Sequence, residues 1–309
     1  MSAIEILRNG ETLTFRSGAV DIGRYVAVPD TPEVESRKPF LHPMRTLRGD
    51  VVSAYRPWDH PWHKGLQMTW SEVSGQNFWG GKTYVDGEYV WLDNVGRMRH
   101  EGYDRVEIAD GAAHVTQRLS WITAAGQTWI TERRDLRLGI DAARGAWVLD
   151  VSIDLLNVRG EALDFGSPTT LGRPDAGYTG LFWRGPRSWT GGRVLAAGGH
   201  EGQELMGQES PWLAIAGRHD EVDGGATVVF VAGSSSACVP IRWFVRNEPY
   251  AVLNPSPAFS DIVHVDAGEH LRLRHRVAVL DRLWEPEELE SYADKLVAGA
   301  AERGEQWPR

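Results

Sequence analysis

The sequence predicts an all-β protein, a large antiparallel two-sheet β-sandwich with a C-terminal amphipathic helix, and three observations carry that reading. Apolar and polar residues alternate with period two in run after run, the pattern of strands that bury one face. Gly, Asn, Asp and Pro punctuate the runs as turn residues do. No helical pattern of roughly 10–15 residues alternates with them, which excludes a doubly wound α/β sheet.

The elements follow in order. Ile4 to Arg8 and Thr12 to Arg16 flank Asn9-Gly10-Glu11 as a hairpin. Further strands are expected at Leu66 to Val73, Gly96 to Ile108, His114 to Thr123, Gln127 to Leu138 and Trp147 to Val158. The pattern continues at Leu213 to Ala216, Ala226 to Val231, Arg242 to Val245 and His270 to Asp281. Gly185 to Gly202 reads as a long Gly-rich loop. Pro286 opens the helix in the position proline tolerates best, and Leu289, Tyr292, Ala293, Leu296, Val297 and Ala300 form its apolar stripe over about residues 286 to 302. Glu302 to Arg309 is expected to fray. With no repeat and no Ser/Gly linker, residues 1 to 309 read as one domain.

Composition narrows the function classes. A 309-residue chain with 42% hydrophobic residues needs no covalent staples, and its single cysteine, Cys238, permits no intrachain disulfide and reads as a small buried apolar residue. The start Met1-Ser2-Ala3-Ile4 lacks the basic and apolar regions of a secretory signal and no run is long enough to span a bilayer, so the expectation is a soluble, cytoplasmic protein. A net charge of -9 with interspersed signs argues against nucleic acid and membrane as partners and favours a small neutral ligand; the oligomeric state stays open, a homodimer included. Nucleotide-binding and serine-hydrolase motifs are absent, and no cofactor is expected.

The chemistry concentrates in Trp58-Asp59-His60-Pro61-Trp62-His63-Lys64-Gly65. Pro57 and Pro61 flank His60 and make a helix there unfavourable, so the pair of histidines belongs on a loop of the kind that carries function. Among the 14 tryptophans most read as core, whereas Trp58 and Trp62 flank the histidines and suit stacking on a sugar ring. Strand parity places Glu132 and Arg134 on the face of Ile130 and Leu136, where they either pair with each other or point into a cavity. Glu72 shares the parity of Leu66, Met68 and Trp70, so burial there would raise its pKa and suit it to donate a proton. His42 and Arg45 are placed to reach the same pocket, His275 falls in phase with core residues, and His264 reads as surface. A divalent metal, if held, would take His60, His63 and a third ligand such as His42, Glu72 or Glu132.

The runs Lys38-Pro39-Phe40-Leu41-His42-Pro43-Met44 and Asp59-His60-Pro61-Trp62-His63-Lys64-Gly65 resemble the motifs of the soluble family labelled "methane oxygenase PmoA", typically K-P-Y-x-x-P-L and D-H-P-H-H-R-G. The resemblance extends through Asn77-Phe78-Trp79-Gly80, Thr131-Glu132-Arg133 and Gly180-Leu181-Phe182-Trp183-Arg184. Trp62 and Lys64 depart from it, where the family usually has His and Arg. It implies a galactose-mutarotase-like supersandwich in a sugar-catabolic setting. On it rests the leading expectation, an enzyme that cleaves an oxidised, 3-keto pyranoside by acid/base elimination or hydrolysis. His60 or His63 would be the base, and the other with Glu72 or Glu132 the acid. His42, Arg45, Trp58, Trp62, Asn77 and Arg184 would hold the sugar. The alternatives are an aldose mutarotase or epimerase and a non-catalytic sugar-binding module.

Overall fold

The computed structural model describes residues 4–237 and 239–302; the readings made on residues 1–3, on Cys238 and on the tail after Glu302 lie outside these. Two eight-stranded antiparallel sheets dominate. The first runs in the order Ile4–Asn9, Thr12–Ser17, Val20–Val26, Phe40–Met44, Leu66–Trp70, Thr179–Arg184, Val252–Ser256, Arg242–Arg246. The second runs Arg193–Ala196, Trp212–Arg218, Gly225–Ser235, His270–Leu280, Ala146–Asn157, Thr128–Asp141, Ala112–Ile122, Arg97–Ala109.

The second sheet shows why the alternation was informative. In Ala146–Asn157 the residues Trp147, Leu149, Val151, Ile153 and Leu155 are buried in the core between the sheets, while Asp150, Ser152 and Asp154 lie on the opposite face. The register Leu138↔Leu149, Leu136↔Val151, Arg134↔Ile153 and Glu132↔Leu155 carries that division into the next strand. Trp70, Trp121, Trp147, Trp183 and Trp243 are fully buried, as the core reading of most tryptophans expects, and each stabilises the sandwich by on the order of 3 kcal/mol.

The helix Pro286–Glu302 buries Leu289, Tyr292, Ala293 and Leu296 against Trp284 and the outer face of the second sheet, formed by residues such as Ala214, Val229 and Ala278. Arg276 reaches from that sheet to donate to the Leu296 carbonyl at 2.6 Å. The described residues contain no helix long and apolar enough to cross a membrane.

Three readings need correction. The run from Leu66 to Val73 breaks at Ser71: Leu66–Trp70 belongs to the first sheet, and Glu72–Val73 pairs with Leu163–Gly166 in a separate three-stranded sheet. Gly185 to Gly202 is not all loop, since Arg193–Ala196 forms the edge of the second sheet. Thr179–Arg184 and Val252–Ser256, the sixth and seventh strands of the first sheet, escape detection because every residue in them is buried and the alternation disappears.

Candidate functional site

That double burial defines the site. In Thr179–Arg184, Leu181 and Trp183 face the core between the sheets, whereas Phe182 joins Trp79, Phe244 and Phe259 in a second apolar cluster on the outer face. Over this outer face lies a cavity of about 430 Å³ walled by Trp62, Trp79, Tyr178, Phe182, Phe244 and Tyr250, with His60 and His63 in its lining.

The histidine loop is held at its base. Tyr55 bridges Lys64, Gly65 donates to Ala54 at 2.7 Å, and Ala54 and Gly65 both bond the backbone of Arg184 at 2.9 Å. Successive turns then form, with His60 N–H to Pro57 and His63 N–H to His60, both at 3.0 Å. Gly65 is required: its φ of +57° is left-handed, and a Cβ there would stand 2.2 Å from the Leu41 carbonyl oxygen. Beneath the loop, buried Glu35 binds Arg56 at 2.7 Å and Lys64 at 3.1 Å, which hold its carboxyl below the usual range against the upward push of burial. Fully buried Lys38 donates to the carbonyls of Glu35, Ser36 and Trp79, at 2.7 Å for the last, so both lysines of the two motifs brace the cavity wall.

The two imidazoles stack face to face, centroids 4.7 Å apart and planes 12° from parallel. Their Nδ1 atoms meet opposite partners. His60 Nδ1 lies 3.1 Å from the Asp59 carboxylate, whereas His63 Nδ1 lies 3.0 Å from Nη1 of fully buried Arg184. A guanidinium can only donate, so His63 accepts at Nδ1 and carries its proton on Nε2. The Asp59 carboxylate beside His60 Nδ1 lies within ion-pair distance but out of hydrogen-bond geometry, and its charge favours the tautomer protonated at Nδ1, with the Nε2 lone pair free. Neither Nε2 has a protein partner among the described residues. Burial lowers the pKa of His60 in spite of Asp59, and burial together with His60, Arg184, Lys38 and Lys64 lowers that of His63 much further. Asp59 stays below the usual carboxylate range although burial opposes it, through its contacts with His60 and Arg184. Both imidazoles are therefore neutral at pH 7, one a base at Nε2 and the other a donor there.

Trp62 lies in the cavity wall, whereas Arg184, expected to hold the sugar, is fully buried behind His63 and outside the lining, with its guanidinium 3.7 Å from the centre of the Tyr250 ring. A Cβ on Gly81, φ +70°, would press to 2.6 Å of the Trp62 ring. The remaining expectations need correction. Glu132 lies in the core, accepting from Trp121 Nε1 at 2.7 Å and from Arg134 Nε at 2.6 Å, so it is an ion-paired structural group rather than an acid of the site. Burial does raise the pKa of Glu72, but its carboxylate accepts from the Gly75 backbone at 2.5 Å and lies outside the cavity lining. His42 bonds Ser53 at 2.8 Å and stacks on Tyr55, and Arg45 donates to the Gly49 carbonyl; neither lines the cavity. Trp58 is 85% exposed, its indole beside Arg187. Asn77 is a positioning residue: its Oδ1 accepts from the N–H groups of Trp79 and Gly80 at 2.8 Å and so sets the wall that Trp79 forms.

The donor set does not fit a metal with His42 as third ligand. Arg184 occupies His63 Nδ1, His42 is engaged elsewhere, and among the described residues no three His, Cys, Asp or Glu side chains converge. Sequence reasoning passed over Asp59, Tyr178, Tyr250, Lys82, Arg173 and Arg246. Asp59 was findable from its place beside His60, but the others come from distant segments that no local pattern joins.

No curated protein matches the chain in sequence. Among solved structures it is similar to the GH36 α-galactosidase of Geobacillus stearothermophilus at 13% identity, covering 90% of this chain and 41% of that one with a TM-score of 0.41. An α-galactosidase from Lactobacillus brevis compares at 9% identity, 91% and 40% coverage and a TM-score of 0.42. A protein assigned as an aldose 1-epimerase from Klebsiella pneumoniae compares at 10% identity, 96% and 86% coverage and a TM-score of 0.35. The chain thus spans about two fifths of the galactosidases' length, and likenesses this distant concern the sandwich alone. Sequence defines the relationship better: residues 12–294 match a family of unknown function, DUF6807, and the chain belongs to that family.

Proposed function

We propose that the histidine cavity performs proton abstraction next to a carbonyl on a sugar, with β-elimination from a 3-keto glycoside as its reaction. The observation that carries this is a pair of stacked imidazoles whose Nδ1 atoms face opposite charges, a guanidinium at His63 and a carboxylate at His60, an arrangement that makes His63 Nε2 a donor and favours a base at His60 Nε2. A ketone at C3 acidifies the C2 proton. His60 takes that proton while the C3 oxygen, gaining charge as an enolate, accepts from the His63 Nε2–H, a neutral electrophile of the kind that buried imidazoles supply. The electron pair then forms the C1–C2 double bond as the glycosidic C1–O bond breaks, and the proton held by His60 passes to the departing oxygen, leaving an enone and an alcohol. Asp59 stabilises the transient imidazolium, and the aromatic walls stack on the ring and exclude water.

Glycoside hydrolysis by paired carboxylates is less well supported, as is anomeric chemistry with a carboxylate base, because no Asp or Glu lines the cavity among the described residues. The test is enone absorbance on incubation with a 3-keto-glucoside. Growth of the signal in wild type and its loss in His60→Ala support the reading; a flat trace in wild type from about pH 6 to 9, around and above the histidine range, overturns it.

A further inference from the structure

The cavity departs from the chemistry of the chain that builds it. The protein carries 42 acidic against 33 basic residues, yet its lining holds Lys82, Arg173 and Arg246 and no carboxylate among the described residues. These cations lack ion-pair partners there. The Arg173 guanidinium lies 4.8 Å from the centre of the Tyr89 ring and donates to that residue's hydroxyl. Arg246 lies over Phe244 at 5.3 Å and makes one long bond, 3.5 Å, to the Asp175 backbone carbonyl. Lys82 is exposed at the rim with no hydrogen bond to the protein. Arg184 and Arg187, by contrast, share Asp59.

Their position is as informative as their charge. From His63 the wall runs to Trp79 (5.6 Å), to Tyr178 (4.5 Å) and, through the 2.6 Å bond between the Tyr178 and Tyr89 hydroxyls, to Arg173. Phe244, under Arg246, packs on the same Tyr178 at 5.4 Å. Two of the cations are therefore separated from the imidazoles by a band of aromatic rings, so a ring-shaped guest on those faces would present one edge to His60 and His63 and its far substituent to the guanidiniums.

We propose that the ligand of this cavity is an acidic sugar, whose carboxylate or phosphate is bound by Arg173, Arg246 and Lys82, an assignment that rests on the sugar reading above. It replaces the neutral ligand expected from net charge: the overall charge describes the whole surface, whereas recognition depends on the local field inside a cleft with low-dielectric walls. Guanidiniums also match the fork geometry of either anion.

The experiment is calorimetric titration of the full chain with glucuronate, glucose 6-phosphate and glucose, for wild type, Arg173→Gln/Arg246→Gln, Lys82→Gln and His60→Ala. One of the two anions should bind at least about tenfold more tightly than glucose, with the tighter one identifying the group, and added salt should weaken it. The double variant should lose that preference, Lys82→Gln should lose part of it, and His60→Ala should keep it. Equal binding of anions and glucose, no measurable anion binding, or a preference unchanged in both cation variants would overturn the proposal. Anion binding without enone formation would instead remove the elimination chemistry alone, and enone formation from a 3-keto-glucoside together with equal binding of the anions and glucose would remove the acidic sugar alone.

Discussion

The sandwich carries a cavity on each outer face, and the two differ in how their charged groups are paired. The one over the second sheet measures about 570 Å³, against about 430 Å³ over the first, and its lining includes Arg137, Asp150, Ser152, Arg276 and His275. Its charges compensate one another: Asp150 pairs with Arg276 at 2.6 Å and with Arg137 at 3.6 Å, and Arg276 also binds the C-terminal helix. In the histidine cavity two Nε2 nitrogens and three cations remain without such partners among the described residues. Open hydrogen-bonding capacity alone does not separate the two, since both ring nitrogens of His275 and Nε2 of His114 in the larger lining also lack hydrogen-bond partners among the described residues; the histidine cavity differs in joining two stacked imidazoles to cations without ion-pair partners.

The largest expected effect tests that contrast. His60→Ala should lower kcat/KM for a 3-keto glycoside by about 10²–10⁴-fold, the range for a lost general base, whereas Ser152→Ala in the larger cavity should change it less than about twofold. Reversed results in steady-state assays would exchange the roles of the two cavities.

Next comes the buried pair in the core. Glu132→Gln leaves Arg134 buried without its carboxylate, so urea unfolding should show a loss of about 3–5 kcal/mol while kcat per folded molecule stays near wild type. Full stability with lost turnover would return Glu132 to the catalytic role first read for it.

How much was legible follows from burial geometry. Ala146–Asn157 and Thr128–Asp141 each bury one face, so period two marked them to within a few residues. The strands beneath the site bury both: Thr179–Arg184 packs Leu181 and Trp183 inward and Phe182 outward, which leaves a run with no polar phase to read. The histidine loop was visible because its motif is contiguous. The cation end was not, since Lys82, Arg173 and Arg246 meet only through sheet pairing and loops far apart in sequence. Glu132 misled because parity reports which face a residue takes, and the same inward face serves a cavity or a core pair equally well.

Acid sharpens the contrast between the cavities through buried histidines. Burial holds His42 and His275 at about 4 in the folded chain, against 6.5 unfolded. The unfolded chain therefore binds protons first: the stability that depends on their neutrality is fully present above pH 6.5 and is lost as pH falls from 6.5 toward 4. Each contributes a slope of up to about 1.4 kcal/mol per pH unit in that window. His275→Gln, in the larger cavity's lining, should make the fall in urea midpoint shallower without moving the pH profile of turnover. That profile should instead decline on the acid side as His60 protonates, below the ordinary imidazole value. An unchanged stability slope in His275→Gln would show that this histidine is not held neutral by the fold.

The smallest effect lies within the histidine loop itself. Trp58 and Trp62 look equivalent in the sequence, but Trp62 lines the cavity and rests on Gly81, while Trp58 is 85% exposed and touches the site only through Arg187, 5.6 Å from its ring and bonded to Asp59 at 2.7 Å. Trp58→Ala removes one exposed cation–π contact, worth about 0.5–1 kcal/mol, and part of that is recovered by hydration of Arg187. Turnover should therefore change by less than about threefold, with any loss in kcat rather than KM because the contact acts on Asp59 and hence on His60. Trp62→Ala removes a wall and should raise KM. A Trp58→Ala variant that raises KM as much as Trp62→Ala would mean that the exposed indole folds over the bound sugar, and the boundary between cavity and surface would move outward to include it.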